Sequence, residues 1–152
     1  MNKTYVELKH HIIEKLHDDD IVLDIKILNI SILDWNILLD YLSRKDNVDF
    51  FYASLKKAMP INVNQKFFED ENVKLITISL NSLEINLPFF DFDEIEFYTG
   101  SVINMDEKDF FYLFEFVKEI SEVIKKNVSI YIENMPNAII KYNLYESNFE
   151  IL

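Results

Sequence analysis

The side chains best suited to metal or acid–base chemistry are three histidines near the start of the chain. His10, Glu14 and His17 are spaced at i, i+4 and i+7, so a helix would carry them on one face. Two imidazoles and a carboxylate can hold a divalent metal, but the spacing is not H-E-x-x-H and no fourth ligand is indicated. Solvated helix faces carry such residues routinely. We therefore predict no metal and no cofactor.

Carboxylates are abundant, with 27 Asp and Glu residues among 152. Acid–base catalysis by two of them needs a fixed separation in a cleft and one raised pKa, and sequence spacing shows neither. The chain has a single glycine, Gly100. Phosphate-binding loops and dinucleotide folds need several glycines, and a nucleophile elbow needs G-x-S-x-G. The sequence therefore favours a non-enzymatic protein, and a small enzyme of unrecognised type is the weaker alternative.

The densest charge lies between residues 91 and 109, where seven acids accompany one base, Lys108, for a net charge of −6. The acids are Asp91, Asp93, Glu94, Glu96, Asp106, Glu107 and Asp109. A strand, a turn and a helix start are expected to bring them near one edge of the fold. Because crowded like charges repel, this density favours a docking patch for a cationic partner, with Tyr98 as a contact anchor.

A plainer interpretation of these acids remains open. Acids in the first turn of a helix complement its dipole, and acids that alternate with Phe92, Ile95 and Phe97 form the solvated face of a strand. Neither role requires a partner.

Composition narrows the class of partner. The net charge is −12, with only 15 Lys and Arg residues, so a nucleic-acid binder is not expected and a basic protein is favoured, although solubility alone also explains an acidic surface. The chain has no Cys, which excludes disulfides and thiolate zinc sites. A polar beginning and the lack of a long apolar stretch predict a cytoplasmic protein without a membrane partner.

One long amphipathic helix over 104–127 dominates the pattern, and a short strand over 128–132 follows it. Asn104 or Asp106 can cap the start of the helix, and Lys125 lies near its end. Its apolar residues recur at three- and four-residue steps on one face. They are Phe110, Leu113, Phe114, Val117, Ile120 and Ile124.

The remaining pattern predicts a single α+β domain over 1–152, with about three helices packed on a mainly antiparallel sheet of about six strands. A capping box is expected at Thr4 and Glu7, at the start of the first helix, and Ser31-x-x-Asp34 is expected to start the second helix, whose inward stripe includes Trp35. The pattern over residues 48–72 is poorly defined, and Lys56–Glu71, with Pro60 and several Asn, suggests only an irregular crossing. The other predicted elements are helix 4–17, strand 21–30, a strand within 48–54, strands 73–80 and 83–87, strand 89–98, and extended segments 139–142 and 149–152.

The clearest β signal is a hairpin that turns at Asn81-Ser82. In this register apolar residues face apolar ones and polar residues face polar ones, whereas a slip of one residue would spoil every pair. The five pairs are Leu80/Leu83, Ser79/Glu84, Ile78/Ile85, Thr77/Asn86 and Ile76/Leu87. Farther along, Thr99-Gly100 is expected to form a turn.

In its size, its lack of Cys, its scarcity of Gly, its aromatic richness and its acidic segment Asp91–Asp109, the chain resembles the immunity proteins of bacterial contact-dependent inhibition and related polymorphic toxin systems. The resemblance implies a small, acidic, non-enzymatic domain that neutralises a toxin, often a basic nuclease, by occluding it. The alternatives are a nucleic-acid-mimicking inhibitor, a small enzyme, or a structural subunit of a larger complex.

Overall fold

The computed structural model describes residues 4–16 and 21–152, and it is an α+β domain with an antiparallel nine-stranded sheet. The helices are α1 (Tyr5–Lys15), α2 (Ile32–Ser43), α3 (Gln65–Glu69) and α4 (Glu107–Ile124), with a 3-10 turn at Val102–Asn104. The strands are β1 (Val22–Ile27), β2 (Val48–Tyr52), β3 (Leu55–Lys57), β4 (Lys74–Leu80), β5 (Leu83–Pro88), β6 (Ile95–Ser101), β7 (Val128–Ile132), β8 (Ile140–Asn143) and β9 (Asn148–Ile151).

The core fills the space between one face of the sheet and the helices. In β1 the side chains of Leu23, Ile25 and Ile27 are buried, whereas the alternate residues are partly exposed, as the two-residue period of a strand requires. The same alternation continues across the sheet, whose strand order is β3-β2-β4-β5-β6-β1-β7-β8-β9. The second face of the sheet therefore remains open to solvent.

Local sequence signals place the helices as predicted. The capping box at Thr4 and the helix start at Ser31 are confirmed, and Ser31 also forms a capping box with Asp34; the long helix is capped by Asp106 rather than Asn104. Lys125 ends α4 in the left-handed conformation, with φ of 64°. All six residues of the predicted apolar stripe of α4 are buried.

The hairpin β4–β5 confirms the predicted register at all five facing pairs, with Asn81 at positive φ in the turn. The predictions for β1, β7, β8 and β9 are confirmed with shifts of a few residues at their ends.

Two predictions for the next strand are wrong. The strand begins at Ile95 instead of residue 89, because Phe89 is drawn into the core and Phe90 projects into solvent. Thr99 and Gly100 form no turn, since β6 continues to Ser101 and pairs with β1. Asp24 pairs with Tyr98 and Val22 pairs with Ser101, so a step of two residues on β1 matches a step of three on β6, which is a β-bulge. At this bulge the Thr99 hydroxyl accepts a hydrogen bond from Leu23 N–H at 3.1 Å.

Residues 48–74 hold one helix and one strand more than the sequence indicates. With these, and with the extended segments near the end of the chain forming strands β8 and β9, the described residues have four α-helices and nine strands. Besides β2, residues 48–74 contain strand β3 and the short helix α3, which Asn64 caps. Aromatic packing fixes α3: Trp35 is fully buried, as predicted, and its ring lies 5.1 Å from Phe68 and 5.0 Å from Phe89. A helix of five residues is stabilised by such tertiary contacts and not by its own hydrogen bonds.

Candidate functional site

The open face of the sheet carries the most unusual polar arrangement in the described part of the chain. Its side chains form rows in which each residue is the direct cross-strand partner of the next. One row runs Asp49, Thr77, Asn86, Tyr98, Asp24 and Tyr131. A second row runs Glu96, Lys26, Ser129, Lys141 and Glu150.

Asp24 lies near the middle of the sheet, on a strand that neighbours pair on both sides. It is half-buried, and no group in residues 4–16 or 21–152 donates a hydrogen bond to it or forms an ion pair with it. Burial raises the pKa of its carboxyl, the negative charge of Glu133 raises it further, and the positive charge of Lys26 acts against both. A half-buried carboxylate without a partner is costly, and such groups concentrate at functional sites.

Two tyrosines flank this carboxylate. Tyr98 of β6 and Tyr131 of β7 are the cross-strand partners of Asp24 on its two sides, and both are partly exposed. Directly opposed residues have Cβ atoms about 5 Å apart. The three side chains therefore form an aromatic–acid–aromatic strip, defined as Tyr98, Asp24 and Tyr131, on a rigid backbone.

Glu96 extends the acidic character of the strip. Burial raises the pKa of its carboxyl, and Asp24 and Glu94 raise it further, whereas Lys26 lowers it. The Lys26 Nζ lies 4.0 Å from Glu96 Oε1 and 4.9 Å from the centroid of the Tyr131 ring.

A small hollow borders the strip at the beginning of β6. It has a volume of about 100 Å³ and is lined by Pro88, Phe90, Asp91, Glu94 and Glu96. Together with Asp24, Glu84 on the same face and Glu133 near Asp24, these acids make six carboxylates. Within residues 4–16 and 21–152, Lys26 is the one lysine of this region. The region attracts cations by its net charge.

The structure divides the predicted acidic patch into two groups. Asp91, Asp93 and Glu94 precede β6, and Asp106, Glu107 and Asp109 follow it. Because β6 has seven residues, about 3.3 Å apart along the strand, roughly 20 Å separates the groups, and the expectation of one edge is wrong. Glu96 and Tyr98 lie between them on the open face. Asp93 is exposed, and its carbonyl accepts a hydrogen bond from Ile30 N–H at 3.4 Å.

The second group serves the helix. Asp106 and Asp109 form the capping box of α4, and Asp109 is buried and accepts a hydrogen bond from the Ser82 hydroxyl at 2.6 Å. Glu107 is exposed, 3.8 Å from Lys9. Here the plainer interpretation, helix capping, explains the acids.

Asp109→Ala is expected to lower the free energy of unfolding by about 1–3 kcal/mol, because it breaks the capping box and leaves the Ser82 hydroxyl without its acceptor. Glu107→Ala, two residues away in the same helical turn and exposed, should change the free energy of unfolding by less than about 0.5 kcal/mol. Urea unfolding of the two variants compares them. Equal effects would contradict a structural role for Asp109.

Sequence reasoning missed Asp24, Tyr131 and Glu133 because each lies far along the chain from residues 91–109. A signal existed for Asp24, which alternates with Leu23 and Ile25 at an outward position of the strand segment. Only the pairing of β1 with both β6 and β7 shows that tyrosines stand on each side of it.

The histidines near the start of the chain are the last candidate set from the sequence. His10 is exposed, and His17 lies outside the described residues. Within residues 4–16 and 21–152 no three His, Asp or Glu side chains are arranged to hold a metal ion. In the same residues, none of the helices combines the length and the apolar character that a membrane crossing demands.

Comparison with protein-family models, with curated proteins and with solved structures finds no match.

Proposed function

We propose that this protein is a non-enzymatic binding module whose open sheet face docks a basic protein. The observation that carries the proposal is Asp24, a half-buried carboxylate without an ion-pair partner among the described residues, held between two tyrosines on the centre of a sheet. A positively charged side chain of a partner would supply the direct ion pair that Lys26, on the same strand, does not form with Asp24. Tyrosine rings beside it provide the rigid, amphipathic contact area that is enriched at protein interfaces.

The surrounding acids support association with a cationic partner. Glu84, Asp91, Glu94, Glu96 and Glu133 create a negative field around the strip, which increases the rate at which a basic protein encounters this face. Contacts at the rim contribute mainly to this rate, whereas desolvated contacts at the centre contribute mainly to slow dissociation.

The class of protein that fits this arrangement best is an immunity protein that binds and neutralises a cognate toxin, for example a basic nuclease. The resemblance in size, charge, and Cys and Gly content supports this assignment. In this function the open face covers the active site or another essential surface of the toxin, and the immunity protein itself performs no reaction.

Capture from a lysate of the native host tests the proposal. The purified protein should retain a basic protein at low salt and release it at high salt, since screening weakens exposed charge contacts. A double variant, Asp24→Asn with Glu96→Gln, should lose the partner, whereas Asp106→Asn with Glu107→Gln, at the far end of β6, should keep it. Recovery of a toxin domain would support the immunity function. Equal capture by both double variants would overturn the open face as the docking site.

A further inference from the structure

Among the described residues, Lys26 is the one cation within the acidic region of the open face. It lies two residues from Asp24 on the same strand and faces Glu96 on β6. Its ammonium lowers the pKa of both carboxyls, so it already acts as a counter-ion for them.

This ammonium is held loosely. Its distance of 4.0 Å from Glu96 Oε1 is too long for a hydrogen bond, and no other group in the described ranges 4–16 and 21–152 accepts one from it. Its closest aromatic contact is the face of Tyr131, at 4.9 Å from the ring centroid. At a solvent-exposed site, a cation over an aromatic ring stabilises the protein by only about 0.5–1 kcal/mol.

Two further lysines lie beyond Lys26, and the Nζ of one of them, Lys126, donates a hydrogen bond to the Asn29 carbonyl at 2.7 Å and forms an ion pair with Asp34 at 3.5 Å. An open cleft of about 570 Å³ borders Lys26 on its other side, and Lys125 and Lys126 line it. Movement of the Lys26 ammonium into the cleft would bring it towards these like charges. The cleft therefore has room for the Lys26 ammonium, but repulsion from these lysines opposes the movement.

We propose that Lys26 occupies, in the free protein, the position that an arginine of the partner takes in the complex. The inference rests on the proposed function and identifies the side chain that the open face recognises. A guanidinium is planar, stacks on tyrosine rings and donates two parallel hydrogen bonds to one carboxylate, so the strip of Tyr98, Asp24 and Tyr131 suits arginine better than lysine. The incoming arginine displaces Lys26 towards the cleft. Because this displacement costs free energy, weakly charged partners bind the open face less tightly than they would without Lys26.

Calorimetric titration with acetylated hexa-arginine and hexa-lysine peptides tests this inference without the natural partner. The informative variant is Lys26→Met, which removes the charge and keeps an unbranched side chain over Tyr131. Its matched control is Lys141→Met, since Lys141 lies in the same cross-strand row and forms an ion pair with Glu150 at 3.4 Å. Both variants change the net charge equally.

Lys26→Met is expected to bind hexa-arginine three- to tenfold more tightly than the wild type, and Lys141→Met less than twofold more tightly. The gain should be smaller for hexa-lysine and should disappear when Asp24→Asn is added. Equal gains from the two lysine variants, a loss from Lys26→Met, or no binding by any variant at millimolar peptide would overturn the inference. Capture of a basic host protein that depends on Asp24, with no advantage from Lys26→Met, would leave the proposed function standing and reject only the role of Lys26.

Discussion

Asp24→Asn is expected to weaken partner binding and to stabilise the folded protein at the same time. Binding should fall at least tenfold, or about 1.4 kcal/mol, because the substitution removes the central negative charge and keeps the shape of the side chain. Stability at neutral pH should rise by up to about 0.5 kcal/mol, equivalent to about 1–2 °C in Tm, since asparagine carries no charge to desolvate beside Glu133. A gain in stability with a loss of function is typical of a functional residue.

The gain in stability from Asp24→Asn should depend on pH. A carboxyl whose pKa is raised on folding favours the folded state only while it is protonated, so its cost appears as pH rises above 3.8 through the higher pKa of the folded state. The Tm difference between Asp24→Asn and the wild type should therefore be present at pH 7 and vanish below pH 3.8. Differential scanning calorimetry across this range measures it.

Asp49→Asn is the matched control for Asp24. Asp49 lies in the same cross-strand row, four strands away, and forms an ion pair with Lys56 at 3.0 Å. Removal of its charge should leave binding unchanged and should not stabilise the protein. If the two variants behaved alike in binding, the effect would be one of net charge and the strip would have no special role.

Trp35→Ala is expected to have the largest effect on stability, a loss of about 3–5 kcal/mol in the free energy of unfolding. Trp35 is fully buried, and its ring stacks on Phe89 and contacts Phe68 edge-on. The substitution leaves a cavity where α2, α3 and the segment before β6 meet. Since Phe89 anchors that segment, the change should also loosen the hollow formed by Asp91 and Glu94.

Trp35→Phe separates the packing of the ring from its polar atom. The indole Nε1 is buried and has no hydrogen-bond partner among the described residues, so phenylalanine removes an unsatisfied donor together with part of the ring. We expect it to cost less than half of the alanine effect. Because Trp35 is the only tryptophan, urea unfolding is best followed by circular dichroism. A loss below about 1 kcal/mol for Trp35→Ala would contradict the packing described for α3.

Where a local signal was sufficient, the sequence predicted the structure. The capping box at Thr4, the helix start at Ser31, the stripe of α4 and the β4–β5 register depend on residues close together in the chain, and all are confirmed. Helix α3 escaped prediction because its five residues are fixed by contacts with Trp35 and Phe89, which are distant in sequence.

The candidate site was only partly accessible from the sequence. Glu96 was identified from the density of acids, and Tyr98 as an aromatic anchor beside them. Asp109 belongs to the same acidic segment, but its role is structural, the capping of α4. The central carboxylate, Asp24, becomes visible only when sheet order places β1 between β6 and β7. Long-range strand pairing is the information that one sequence does not display.

Carboxyl footprinting by carbodiimide labelling and mass spectrometry tests the docking face most directly, on the protein alone and in complex with the captured basic partner. We predict that labelling of Asp24, Glu96 and Glu133 falls in the complex, while labelling of Asp40 and Glu119 on the helices stays unchanged. Protection of the helical acids, with the open-face acids labelled as in the free protein, would contradict the proposed docking face.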